Sequence, residues 1–103
     1  MSQTGKASEH WDDRYLNDLC KALASFHDAT ECRSFLEDLC TPAELRSMAD
    51  RWRVARLLKE GFSYRLINEK TGVSTATITR VARAMTYGAN GYARALERGA
   101  TES

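Results

Sequence analysis

The sequence has few residues that interrupt helices and no segment long enough to cross a membrane. Its 103 residues include one proline and six glycines, so long stretches are free to form helices. No apolar run approaches the roughly 20 residues that a membrane-spanning helix requires. The first residues also lack the apolar core of a secretory signal. We therefore expect a cytoplasmic protein that makes no contact with a membrane.

Side chains that carry metal or catalytic chemistry are also scarce. The three cysteines form no Cys-x-x-Cys pair, and Cys20, Cys32 and Cys40 fall on apolar stripes of predicted helices, which indicates buried free thiols. His10 and His27 lack the spacing of zinc ligands. No Ser-His-Asp, Cys-His or paired-carboxylate arrangement and no phosphate-binding loop stands out. We expect neither an enzyme nor a metal site.

Neither sign of charge is in clear excess, since 15 basic and 14 acidic residues give a formal net charge of +1, but the charges are unevenly distributed. Residues 1–42 carry four basic and eight acidic residues, whereas residues 43–83 carry nine basic and four acidic ones. Residues 84–103 carry two of each. This distribution predicts that a polyanion is bound by the middle of the chain. An ordinary solvated helix face remains the alternative.

The first sixty residues predict three helices. Apolar residues at positions 16, 19, 20, 23 and 26 follow a helical rhythm over 12–27. Asp28 or Thr30 can cap a second helix with an apolar stripe from Cys32 to Cys40. The run Thr41-Pro42-x-Glu44 predicts a capping box and a third helix that continues to about residue 60. That helix is apolar on two sides, and no strand pattern occurs, so the fold class is all-α.

Residues 63–85 have the pattern of a helix-turn-helix. Ser63 can cap a short helix, Gly72 can adopt the positive φ of a tight turn, and Ser74 can cap a second helix. Asn68 stands at an inward position where such units usually carry alanine, so unusual packing of the first helix is expected. The side chains expected between the two helices are Ile67, Val73, Ile78 and Val81.

The outward face of the second helix is a candidate for reading DNA. A major groove about 12 Å wide admits such a helix, and hydroxyl, methyl and guanidinium groups can contact base edges. Basic residues on the first helix can bind phosphates. A helical hairpin whose second helix is a capped, threonine-rich surface helix is the alternative. The predicted DNA-contacting residues are Arg65, Lys70, Ser74, Thr75, Ala76, Thr79, Arg80 and Arg83.

Several motifs in this order resemble those of a known family. They are Thr41-Pro42-x-Glu44, Arg51-x-Arg53-Val54, Leu57-Leu58, Gly61, the run Ala76-Thr77-Ile78-Thr79-Arg80, and Tyr87-Gly88-Ala89-x-Gly91-Tyr92. The sequence resembles the Trp repressor superfamily over about residues 12–98, and it is most similar to its YerC/YecD branch. The resemblance implies about six helices and an intertwined homodimer. It also implies two helix-turn-helix heads that bind half-sites about one DNA turn apart.

The resemblance also implies a possible effector pocket. The Trp repressor binds tryptophan, and four of its pocket positions match Thr41, Arg51, Thr77 and Arg80 here. The glycine that accommodates the indole is replaced by Val81, whose side chain would occupy ligand space, so we expect no tryptophan response. Either the protein needs no cofactor, or another small corepressor binds a reshaped pocket. Arg51 is alternatively interpreted as the partner of a carboxylate such as Glu44 or Asp50.

These observations lead to one division of the chain and one function. We expect an arm at 1–11, a domain at 12–98 and a tail at 99–103, with dimerisation helices at 12–60, the helix-turn-helix at 63–85 and a C-terminal helix at 89–98. The function expected is a sequence-specific transcriptional regulator, a repressor that binds a palindromic operator in double-stranded DNA as a homodimer. The alternatives are an effector-dependent repressor of an amino-acid operon and an architectural or interaction module that reads no bases.

Overall fold

The computed structural model describes the backbone of residues 12–102 and the side chains of residues 12–99. The described backbone contains no strand, and the predicted all-α class is confirmed. The predicted arm at 1–11 and the last residue, Ser103, lie outside the described residues. The six helices are α1 (Asp13–Ala24), α2 (Ala29–Leu39), α3 (Pro42–Lys59), α4 (Tyr64–Thr71), α5 (Thr75–Tyr87) and α6 (Gly91–Glu102).

The bounds of the last helix differ from the prediction. α6 begins at Gly91 rather than at residue 89, and it continues to Glu102 instead of ending at residue 98. The stretch expected to be a tail therefore continues the helix as far as residue 102. Within the described backbone, no helix is both long and apolar enough to span a bilayer.

Side-chain caps fix the starts of α2 and α3. The Asp28 carboxylate accepts a hydrogen bond from the Glu31 backbone N–H at 2.9 Å, so Asp28 rather than Thr30 caps α2. At α3, the Thr41 hydroxyl accepts from the Glu44 N–H at 3.1 Å, and the Glu44 carboxylate accepts from the Thr41 N–H at 2.8 Å. This reciprocal pair confirms the predicted capping box.

The chain divides into two compact units between residues 39 and 40. In the first, the rings of Phe26 and Phe35 meet with their centroids 5.3 Å apart. Neither α1 nor α2 contains a buried residue, and Tyr15 and Leu16 are 68% and 44% exposed. The apolar sides of both helices are therefore incompletely covered within the single chain.

The cysteines are less buried than expected. Cys20 is exposed, and Cys32 and Cys40 are only half-buried, although all three are free thiols. The prediction of buried thiols is wrong for the single chain. Its physical reason is that the helical stripes on which they lie meet too few neighbours to exclude water.

The second unit has a fully buried core. α3, α4 and α5 pack against one another, and α6 packs against α3 and α5. The buried residues that α3 contributes lie in its second half, whereas Met48 in its first half remains 38% exposed. Partly buried Trp52, Leu57, Leu58, Phe62, Met85 and Tyr92 surround the core. The buried side chains are Val54, Ala55, Ile67, Val73, Ile78 and Val81.

The junction between α5 and α6 depends on the absence of a side chain at Gly88. A Cβ atom there would collide with the carbonyl oxygen of Ala84, which is backbone and cannot rotate away. We expect Gly88→Ala to lower the free energy of unfolding by about 1–3 kcal/mol, measured by urea denaturation. Gly91→Ala is the matched control, because a Cβ there meets nothing within 4 Å. Equal stability of the two variants would contradict this interpretation.

Candidate nucleic-acid interface

α4 and α5 form a helix-turn-helix whose two starts are capped by serine. The Ser63 hydroxyl accepts a hydrogen bond from the Leu66 N–H at 3.1 Å. The Ser74 hydroxyl accepts from the Thr77 N–H at 3.2 Å and donates to the Thr77 hydroxyl at 3.1 Å. Both caps lie where the sequence predicted them. The first turn of α5 is thus fixed by its own side chains.

The turn between the two helices is fixed by backbone conformation and by a threonine. Gly72 has φ +77°, as predicted, and its N–H donates to the Asn68 carbonyl at 2.8 Å. The Thr71 hydroxyl donates to the Ile67 carbonyl at 2.7 Å and accepts from the Val73 N–H at 3.0 Å. These bonds join the end of α4 to the residue before the cap of α5. The direction of α5 is therefore set by short-range contacts.

The helix-turn-helix head, formed by α4, α5 and the turn between them, carries the polar residue Asn68 at an inward position. Its side-chain amide donates to the Val73 carbonyl at 2.8 Å, and the side chain is half-buried. The bond spans the turn, so Asn68 connects α4 directly to the segment that leads into α5. The unusual packing expected from the sequence is this bridge, which an alanine could not make.

Removal of the bridge should destabilise the head. Asn68→Ala leaves the Val73 carbonyl without its side-chain donor, so we expect the free energy of unfolding to fall by about 1–3 kcal/mol in urea denaturation. Glu69→Ala is the control: Glu69 is exposed and its contact with Arg65 is an exposed ion pair, so a change within about 0.5 kcal/mol is expected. A loss at Asn68 no larger than the loss at Glu69 would show that the bridge contributes nothing.

α5 has two distinct faces. Ile78 and Val81, on one side, are 0% and 1% exposed and belong to the core. The other side begins at the cap and runs along the helix as hydroxyl, methyl and guanidinium groups. All of its predicted DNA-contacting residues are exposed: Ser74, Thr75, Ala76, Thr79, Arg80 and Arg83.

The basic residues of the head differ in their surroundings. Arg65 pairs with Glu69 at 3.5 Å, an exposed contact that competes only weakly with a phosphate. The Lys70 ammonium lies 5.4 Å from the centroid of the Phe62 ring. The Arg83 guanidinium lies 5.7 Å from the centroid of the Tyr87 ring. These two ring contacts were not predicted, although the four-residue spacing of Arg83 and Tyr87 on a helix is a signal that could have indicated one of them.

The residues of the predicted effector pocket have other roles in the single chain. Thr41 caps α3, and Thr77 bonds to Ser74 at the start of α5. Arg51 donates to the Ser47 hydroxyl at 3.0 Å, so its predicted partnership with Glu44 or Asp50 is wrong. The reason is that Glu44 is engaged in the capping box, whereas Ser47 lies one helical turn before Arg51. Arg80 is exposed, and Val81 is part of the core.

An apolar cleft of about 410 Å³ lies where α3, α5 and α6 meet, and sequence reasoning did not anticipate it. It lies in the second unit, and none of its lining residues carries a formal charge. No group of three or more His, Cys, Asp and Glu side chains within the described range is arranged to hold a metal ion. The cleft is lined by Trp52, Ala84, Ala89, Gly91, Tyr92 and Ala95.

Comparison with known proteins gives relatives of both sequence and structure. The uncharacterised protein YerC of Bacillus subtilis (strain 168) is 47% identical over 83 residues, which are 81% of this chain and 80% of that protein. The structure of a TrpR-like protein from Eubacterium eligens ATCC 27750 matches with a TM-score of 0.77 and 45% identity, over 82% of this chain and 88% of that one.

A second solved structure covers more of the sequence. A proposed Trp repressor from Staphylococcus aureus matches with a TM-score of 0.79 and 34% identity, over 93% of this chain and 94% of that one. Residues 14–100 match the family model of the Trp repressor protein, which confirms the resemblance seen in the motifs. The chain belongs to the Trp repressor protein family.

Proposed function

We propose that the protein is a DNA-binding transcriptional regulator whose α5 enters the major groove. The observation that carries this proposal is the division of α5 into a core face and an exposed face of groove-compatible side chains, held by a fixed turn. Membership of the Trp repressor family supports the same function. Thr75, Ala76 and Thr79 are assigned to base edges, and Arg80 and Arg83 to guanine or phosphate.

Two copies of the chain form the binding unit in this proposal. α1 and α2 contain no buried residue, and the apolar side chains of the first half of α3 remain partly exposed. A second copy that covers these faces would remove their apolar area from water, at roughly 25 cal/mol per Å². A two-fold dimer presents two heads and therefore selects a palindrome with half-sites one turn apart. Bound to an operator, it represses by occupying the site.

The proposal includes independence from tryptophan. Val81 is 1% exposed and packs in the core where the family pocket would need space, and the turn is already fixed by bonds within the chain. We expect calorimetric titration with L-tryptophan at micromolar concentrations to give no saturable heat. The affinity for operator DNA should also be the same with and without L-tryptophan. Saturable binding in the titration would contradict this part of the proposal.

The function is tested by selection from genomic DNA. Purified protein is mixed with fragmented DNA at physiological salt, and the retained fragments are sequenced. Enrichment of a palindrome with half-sites one turn apart, without added ligand, is the expected result. Enrichment only after addition of cell extract would support the effector-dependent alternative. Retention of all fragments alike, lost together as salt rises, would indicate an architectural protein and overturn base readout.

A further inference from the structure

Tyr87, at the end of α5, is a large aromatic residue whose side chain is mostly exposed to solvent. It is 78% exposed, the highest value among the exposed large apolar side chains of the described residues. It is the last residue of α5, so it does not contribute to the core that Ile78 and Val81 form on the other face. The ring therefore has no packing role in the core of this unit.

The position of Tyr87 along α5 places it with the arginines. Residues three, four and seven positions apart share a helical face, and Tyr87 follows Arg83 by four positions and Arg80 by seven. The Arg83 guanidinium lies 5.7 Å from the centroid of the Tyr87 ring, within the range of a cation–π contact. Such a contact restricts the many rotamers of an arginine, so less freedom is lost when the arginine binds.

The location of Arg83 and Tyr87 on α5 determines which part of DNA they would face in a complex. A recognition helix reads base edges mainly with its N-terminal residues, and phosphate contacts set its orientation. Arg83 and Tyr87 lie in the C-terminal half of α5. We propose that Tyr87 is a positioning residue that holds the Arg83 guanidinium for a contact with a DNA phosphate. This inference rests on the proposed function, because it requires that α5 binds DNA.

The contact between Lys70 and the Phe62 ring differs from the contact between Arg83 and Tyr87 in the burial of its ring. Phe62, beneath Lys70, is partly buried and packs against the core, so its ring has a structural role without any ligand. The Tyr87 ring has no comparable burial. Tyr87 can therefore be replaced without opening a cavity.

The test measures affinity for the selected operator in four variants of the full chain. Tyr87→Leu should weaken binding roughly two- to fivefold per protomer, the range of an exposed cation–π contact. Tyr87→Phe keeps the ring and should bind like the wild type. In an Arg83→Ala background, Tyr87→Leu should have no further effect. Arg83→Ala should reduce the slope of log K against log salt by about 0.9 per lost phosphate contact, and Tyr87→Leu should reduce it in the same direction.

Two further readouts separate positioning from a general loss of structure. In the free protein, the ring current of Tyr87 should shift the NMR signals of the Arg83 side-chain protons upfield, and this shift should disappear in Tyr87→Leu. Thermal unfolding should be unchanged, because the ring is exposed.

The possible failures are distinguishable. If Arg83→Ala weakens binding but Tyr87→Leu does not, the inference is overturned and the proposed function stands. Equal losses from Tyr87→Leu in the presence and absence of Arg83 would also overturn it, since Tyr87 would then act without the arginine. If the wild type binds no DNA, the proposed function fails and the inference fails with it.

Discussion

Replacing Ile78 with alanine should lower the free energy of unfolding by about 2–5 kcal/mol. Ile78 is fully buried at the centre of the second unit, together with Val54 and Ile67. The substitution removes apolar contacts and leaves a cavity. The surrounding helices are closely packed, so they can relax into that cavity only in part. For a domain whose total stability is about 5–15 kcal/mol, such a loss removes a large part of that stability. Urea denaturation followed by circular dichroism measures the change.

Two comparisons make this prediction specific. Thr79→Ala changes the adjacent, exposed residue and should alter stability by no more than about 0.5 kcal/mol. Ile78→Val removes a single methylene and should cost about 0.5–1.5 kcal/mol. If Ile78→Ala is no more harmful than Thr79→Ala, the core of the head has been placed incorrectly.

The second large effect is a loss of DNA affinity in Arg80→Ala. Arg80 is exposed on the outward face of α5, and among the described residues it forms no ion pair. Its charge is therefore free for DNA, whereas Arg65 would first exchange its weak, exposed ion pair with Glu69. Loss of such a contact costs about 1–3 kcal/mol in each protomer. Because a homodimer carries the substitution twice, the total loss should be about twice that value, measured by titration of the selected operator.

The matched control for Arg80→Ala is an arginine of the first unit. Arg33 lies on α2, is exposed and pairs with Glu37 at 2.9 Å, so Arg33→Ala removes the same charge outside the helix-turn-helix. It should leave operator affinity nearly unchanged. A base contact by Arg80 would relax specificity at one position, whereas a phosphate contact would weaken binding to all sequences alike. Equal affinity of both variants and the wild type would exclude Arg80 from the interface.

The parts of the fold that could be predicted from the sequence depend on contacts between residues close in the chain. The caps at Thr41, Ser63 and Ser74 each bond to a backbone N–H three positions later, and the positive φ of Gly72 is one that glycine adopts without steric cost. The exposed and buried faces of α5 follow from helical periodicity in the same way. Such features need no knowledge of the tertiary structure.

The features that the sequence did not predict depend on tertiary structure, or on which of several hydrogen-bond acceptors a side chain binds. Asn68 was recognised as unusual, but its bond to the Val73 carbonyl exists only because the turn returns the backbone to it. Arg51 has the candidate acceptors Glu44 and Asp50 nearby in the sequence, but its guanidinium binds the Ser47 hydroxyl, and sequence proximity alone does not rank these acceptors. The apolar cleft arises where three helices meet, and no local pattern records that arrangement.

The lack of buried residues in α1 and α2 has a consequence for regulation in the cell. If these helices are completed only by a second copy, the free energy that holds them includes the association of two chains. Stability then depends on protein concentration, and dilution should lower the melting temperature. The amount of protein would itself act as a signal. As the concentration falls, the chains would lose the dimer and the pairing of the heads together, and operator occupancy would fall faster than in proportion to the amount of protein.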